Sequence, residues 1–144
     1  LYAGIRPHEV ARLNWEQVDL QERCISILPQ HSKTGGARRV TIQQPLAELL
    51  SACAATGRIC PPQWVRHWRA VRRLAGLGAW VPDVLRHTFA SYHLSCFRSY
   101  TELQYELGHR DSSLLRTRYV SMAGVQNASD FWRCNMIPLN GSIA

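Results

Sequence analysis

Sixteen of the seventeen cationic side chains in the chain are arginine, and the only lysine is Lys33. The planar guanidinium fork pairs bidentately with phosphate oxygens, so this choice of cation suits phosphate recognition and leaves the lone lysine in search of a separate job. Only ten acidic residues oppose these charges, and the net +7 with a pI near 9.6 points to a polyanionic partner without identifying one. Arg6 precedes Pro7, which pushes it out of the α region and leaves it extended at a helix entrance, a posture suited to clamping a phosphate. Arg66, Arg69 and Arg73 recur at helical spacing with Arg72 beside them. Such a stripe is either a solvated face or a track for a DNA backbone. With Arg38 and Arg39 they make up the expected DNA-contacting set.

These side chains need elements to hold them. Proline at the first helical position, Glu9 in the first turn and an apolar face at Val10 and Leu13 predict a helix over 7–14. Two β-prone runs, 24–28 and 39–42, flank a polar segment with Gly35-Gly36 and read as a hairpin with Lys33 near its tip. Pro45 starts a helix through Leu46, Leu49, Leu50 and Cys53, ended by Gly57. After Pro61-Pro62 a second helix carries Trp64, Trp68, Val71 and Leu74 together with the arginine stripe. Further helices are expected over 83–95, up to a glycine cap at Gly108, over 113–122, and around Phe131 and Trp132 as a docking helix before a frayed end.

Four segments line up in order: Gly4-Ile5-Arg6-Pro7-His8-Glu9-Val10, Ser32-Lys33-Thr34, Leu85-Arg86-His87-Thr88-Phe89-Ala90, and Leu107-Gly108-His109 followed by Tyr119. This series resembles the catalytic domain of the tyrosine recombinases, the phage-integrase family, over nearly the whole chain. The resemblance places Arg6 and Arg86 on the scissile phosphate, Lys33 as the acid for the leaving 5′ oxygen, His109 as a phosphate hydrogen-bond partner and Tyr119 as the nucleophile. The chemistry is coherent. Breaking a phosphodiester without a metal needs a nucleophile, cations on the non-bridging oxygens and an acid for the leaving group. A phenol with a pKa of about 10 needs neighbouring guanidinium groups to favour its anion. Each residue also has a plainer reading: Tyr119 as a core tyrosine, Lys33 as an exposed turn lysine, and Arg6 as an ion pair with Glu9.

Three features depart from the pattern. Asp83 stands three residues before Arg86, where the family has histidine. It either takes over the proton-accepting role from Tyr119, or serves as the N-cap of its helix and leaves the chemistry impaired. Ten residue steps separate His109 from Tyr119, one more than in many family members. The helices and DNA-binding domain that precede the first arginine in the family are missing, so weak and steeply salt-dependent DNA binding is expected.

The remaining bounds are compositional. At 144 residues the chain fits one domain, read as a single catalytic domain over 1–144 that is truncated at its N-terminus relative to the family. No apolar run approaches the ~20 residues of a membrane span, and the start lacks both Met and the features of a signal peptide, which suggests a fragment. Five cysteines without a C-x-x-C suggest neither a disulfide framework nor a zinc ribbon, and point to a reducing, cytoplasmic setting. The expected fold is mainly α-helical with a small antiparallel hairpin or three-stranded sheet. The resemblance implies strand cleavage and rejoining through a 3′-phosphotyrosyl intermediate, with double-stranded DNA and other recombinase protomers as partners and no metal or nucleotide cofactor. A DNA-binding remnant with impaired chemistry is the alternative.

Overall fold

A computed structural model of the chain describes residues 1–32, 35–109 and 125–133. Among these, six α-helices surround a three-stranded antiparallel sheet in the order β1-β2-β3. The strands are β1 (Val18–Asp19), β2 (Cys24–Ile27) and β3 (Arg38–Thr41). The expected hairpin is present, with Ile25 opposite Val40 and Ile27 opposite Arg38. Its tip, with Lys33 and Thr34, lies outside the described residues.

The helices are α1 (Pro7–Val10), α2 (Gln44–Cys53), α3 (Trp64–Leu74), α4 (Val84–Phe97), α5 (Tyr100–Leu107) and α6 (Val125–Arg133). The mainly helical fold with a small sheet is therefore as expected, and α6 is the docking helix of the tail. The helix expected over 113–122 lies outside the described residues.

Two boundaries differ, for one reason. The first helix ends at Val10 rather than residue 14 because Asn14 forms an antiparallel bridge with Arg58, in which Trp15 N–H donates to the Gly57 carbonyl (2.8 Å) and Ile59 N–H to that of Leu13 (3.0 Å). Gly57 is thereby committed to the bridge, and α2 ends before it, at Cys53.

The apolar interior has two parts. One lies between the sheet and α2, around Leu13, Ile25, Ile27, Val40 and Ile42. The other joins α4 and α5 through Phe89, Ala90, Leu94, Leu103 and Leu107. On α4 the buried positions 86, 89, 90, 93 and 94 form one stripe at helical spacing, so Arg86 is carried into the interior by the same face that buries Phe89. Helix α6 covers this second cluster: Phe131 stacks on Tyr92 at 4.4 Å, and the Trp132 indole N–H donates to the Tyr92 carbonyl (3.3 Å).

Gly4 joins the two parts. Its φ is +58°, and a Cβ there would stand 2.9 Å from Leu107 Cδ2 and closer still to the Phe89 ring. Gly76 has a similar φ of +68° with open space around it. Gly76→Ala should therefore cost only the left-handed backbone, about 1–2 kcal/mol. Gly4→Ala should add a further overpacking cost of about 1–3 kcal/mol. Urea melts of the two variants check this, and equal losses would show that the Gly4 contact is not tight.

Candidate active site

The cationic side chains are positioned by the end of α5. Gly108 takes the left-handed cap conformation expected of it (φ +63°), and its N–H and that of His109 turn back onto the last helical turn, to Tyr105 (3.0 Å) and Gln104 (3.1 Å). That leaves the carbonyls of Glu106 and Leu107 to be satisfied from outside the helix. Two arginines do so. Arg38 Nε donates to the Glu106 carbonyl (2.8 Å), and Arg86 Nη2 to that of Leu107 (2.6 Å). Arg86 Nη1 also donates to the Gly4 carbonyl (2.7 Å), which ties the segment carrying Arg6 to the same point.

His109 follows the cap and lies against Arg86, with Nε2 2.9 Å from Nη2. A guanidinium can only donate, so Nε2 is the acceptor and the ring proton is on Nδ1. Nδ1 is buried and has no partner among the described residues. Burial, followed by the charges of Arg86, Arg6, Arg38 and His87, lowers the His109 pKa to about 4, so the ring is neutral at pH 7. Arg38 and Arg86 bind adjacent carbonyls at the end of α5, and Arg6 is linked to the same point through Glu9, which accepts from both Arg6 and Arg38.

Glu9 balances part of this charge from a fully buried position. Burial by itself would raise its pKa, but the hydrogen bonds from Arg38 and the Arg6 backbone, with the charges of both arginines, bring it below the usual value. The Arg6–Glu9 pair weighed from sequence exists, at 3.4 Å, yet it is the lesser one. Arg38 grips the same carboxylate with two bonds of 3.0 and 2.7 Å.

Arg38 therefore needs a correction: expected on the DNA-contacting surface, it is 5% exposed. The cause is strand alternation, since β3 turns Arg38 and Val40 inward and Arg39 and Thr41 outward. That period was legible in Arg38-x-Val40-x-Ile42, whereas its partner Glu9 carried no sequence signal. Arg39 remains exposed, with Nη2 2.8 Å from Cys24 Sγ. Arg66, Arg69 and Arg73 are exposed on α3 and line an open groove of about 690 Å³, apart from the cluster at the end of α5.

Asp83 occupies the N-cap position of α4, but its side chain makes no capping hydrogen bond and its backbone is left-handed (φ +58°). The capping account of this residue fails on that point. Asp83 is exposed and shares the wall of a cavity of about 220 Å³ with Gly4 and Arg86, so it stands beside the cluster without a described bond to it. Lys33 and Tyr119 lie outside the described residues.

Comparison with known proteins supplies the context for this geometry. The phage integrase family matches residues 1–124. The crystal structure of XerA recombinase is similar with a TM-score of 0.66 and 22% identity, over 94% of this chain and 56% of that one. That likeness is one of fold, and the chain spans little more than half of the XerA chain. No curated protein matches the sequence.

A second buried histidine shares the low pKa. His93 is 3% exposed, and burial takes its pKa to about 4 against a slight opposing effect of Glu102. For His93 and His109 the folded value lies below the unfolded value near 6.5, so the unfolded chain binds these protons first. The contribution of these two rings is complete above about pH 6.5 and is lost as pH falls toward 4, each such proton steepening the slope by up to about 1.4 kcal/mol per pH unit, while Glu106, 3.9 Å from His93 with a pKa raised by burial, acts in the opposite sense. Urea melts between pH 7.5 and 5 should show this decline, and His109→Gln should roughly halve it. A His109→Gln profile that matches the wild type would contradict the low pKa of His109.

Proposed function

The chain belongs to the phage integrase family, the tyrosine recombinases, and from that premise we propose that residues 1–144 form a catalytic domain that cleaves and rejoins double-stranded DNA through a 3′-phosphotyrosyl intermediate. The observation that supports this reading is the meeting of Arg86 and His109 at the end of α5, to which Arg6 is linked through Glu9 and Arg38.

In the proposed reaction the Tyr119 phenolate attacks the scissile phosphorus, the bond to the 5′ oxygen breaks, and Lys33 protonates that oxygen. Arg6 and Arg86 stabilise the charge that builds on the non-bridging oxygens, where a donor is worth most in the transition state. A phosphate oxygen replaces His109 as the acceptor on Arg86 Nη2, and the histidine contributes an N–H of its own. Asp83, whose carboxylate caps nothing, accepts the phenol proton. The phosphotyrosyl bond conserves the energy of the broken phosphodiester, so attack by a free 5′ hydroxyl reverses the step without a nucleotide cofactor. Other protomers on a second DNA site complete the exchange, and Arg39 with the α3 arginines holds the flanking backbone. A second reading, a DNA-binding remnant, rests on Asp83 standing in place of the family's histidine.

A pool of nicked duplexes of randomised sequence traps covalent adduct whatever the natural site. Wild-type chain should form adduct, and Tyr119→Phe should form none. Binding without adduct in either would favour the remnant. Asp83→His should raise the adduct rate if aspartate limits the reaction.

The two arginines should separate by stability. Arg6→Ala should lose adduct by orders of magnitude with little change in melting. Arg86→Ala should also leave two buried carbonyls unpaired, at about 1–3 kcal/mol each. Arg69→Ala and Arg73→Ala should each reduce the slope of log affinity against log salt by about 1 without changing the adduct rate at saturating DNA.

A further inference from the structure

Neither the family chemistry nor the DNA surface accounts for Arg38. Its three described bonds go to Glu9 and the Glu106 carbonyl, and its side chain packs so closely on Gly108 that a Cβ there would stand 3.1 to 3.2 Å from its Cδ, Nε and Nη1. We propose that Arg38 is a positioning residue that keeps the Arg6 guanidinium open to the scissile phosphate by filling the Glu9 carboxylate. The phosphate itself comes from the recombinase reading above.

Occupancy of the Glu9 carboxylate decides where the Arg6 side chain can bond. Glu9 Oε1 accepts from Arg38 Nη1 (3.0 Å) and, distantly, from Arg6 Nη1 (3.4 Å). Oε2 accepts from Arg38 Nη2 (2.7 Å) and from the Arg6 backbone N–H (3.1 Å). Apart from the Arg6 side chain, Oε1 holds one donor and Oε2 two, and the Arg6 side chain is left with one marginal contact. It keeps 14% exposure, whereas Glu9 keeps none.

Without Arg38 the buried carboxylate would face a single cation, and an uncompensated buried charge is strongly unfavourable. The Arg6 guanidinium is the nearest group able to compensate it. Because α1 fixes the two residues three positions apart, a side-chain rotation suffices to close Arg6 onto Glu9 as a bidentate pair. The donors that the phosphate needs would then point inward.

The test uses the whole chain and the nicked-duplex pool, with Arg38→Met and the double variant Arg38→Met/Glu9→Gln. In the single variant the adduct rate at saturating DNA should fall by at least about tenfold while DNA affinity changes less than about threefold, the signature of an interaction lost in the transition state. The neutral amide of the double variant no longer draws Arg6 inward, so its rate should return to within about threefold of wild type. A double variant that melts cooperatively but stays as slow as the single one overturns the proposal. So does loss of rate and affinity in step with loss of the folded state in both variants, which would make Arg38 a residue of the fold alone.

A crystal structure of Arg38→Met is the readout that does not need activity. Arg6 bonded through two nitrogens to Glu9 supports the proposal, and Arg6 still at one long contact overturns it. If wild-type chain forms no adduct, the recombinase reading fails separately, and this structure still decides whether Arg38 positions Arg6.

Discussion

The carboxylate of Glu9 has no contact with water and no way to be stable without cations. Arg38 supplies two charge-assisted bonds, and the Arg6 backbone a third. Because Arg38 belongs to β3 and also binds the Glu106 carbonyl, this one ion pair fixes the sheet, the first helix and the end of α5 relative to one another. Moving any of the three would strand a buried charge.

The end of α5 is the second half of the same arrangement. A helix C-terminus presents carbonyls and a partial negative charge, both of which attract cations. Arg38 and Arg86 meet those carbonyls side by side, so three guanidinium groups with Arg6 are gathered where repulsion alone would scatter them. The cost falls on His109, which is held neutral by burial and by its cationic neighbours. In the proposed reaction a phosphate oxygen takes the place of His109 on Arg86, while Glu9 stays paired with Arg38.

Helix α3 follows a different logic. None of its residues is buried, and its arginines stand in water beside exposed Val71 and Leu74. Trp68 meets Trp80 edge-on at 5.2 Å, Arg72 lies 4.6 Å over the Trp80 ring, and Arg72 Nη2 donates to the Gly78 carbonyl (3.2 Å); among the described residues these contacts, with no ion pair, hold the helix. Among the described residues its charge is not met by any carboxylate, in contrast to that of Arg38.

Local signals in the sequence were sufficient for the elements: proline at the start of α1, β-branched runs in the hairpin, helical spacing in α3 and α4, and glycine at the end of α5. The order of short motifs was sufficient for the family. Alternation along β3 marks Arg38 as the inward-facing cation, but what it meets there the sequence could not disclose. Arg38 and Arg39 are adjacent and chemically identical, yet the pleat of β3 sends one to a buried carboxylate 29 positions away and the other to the surface. Asp83 has the residue type of a cap and the position of one, but a left-handed backbone leaves its side chain with no capping bond. Residue type and spacing decide local conformation through short-range sterics and periodic burial. The partner of a buried charge is decided only when distant segments are brought together, because the energy of that charge depends on the groups packed around it.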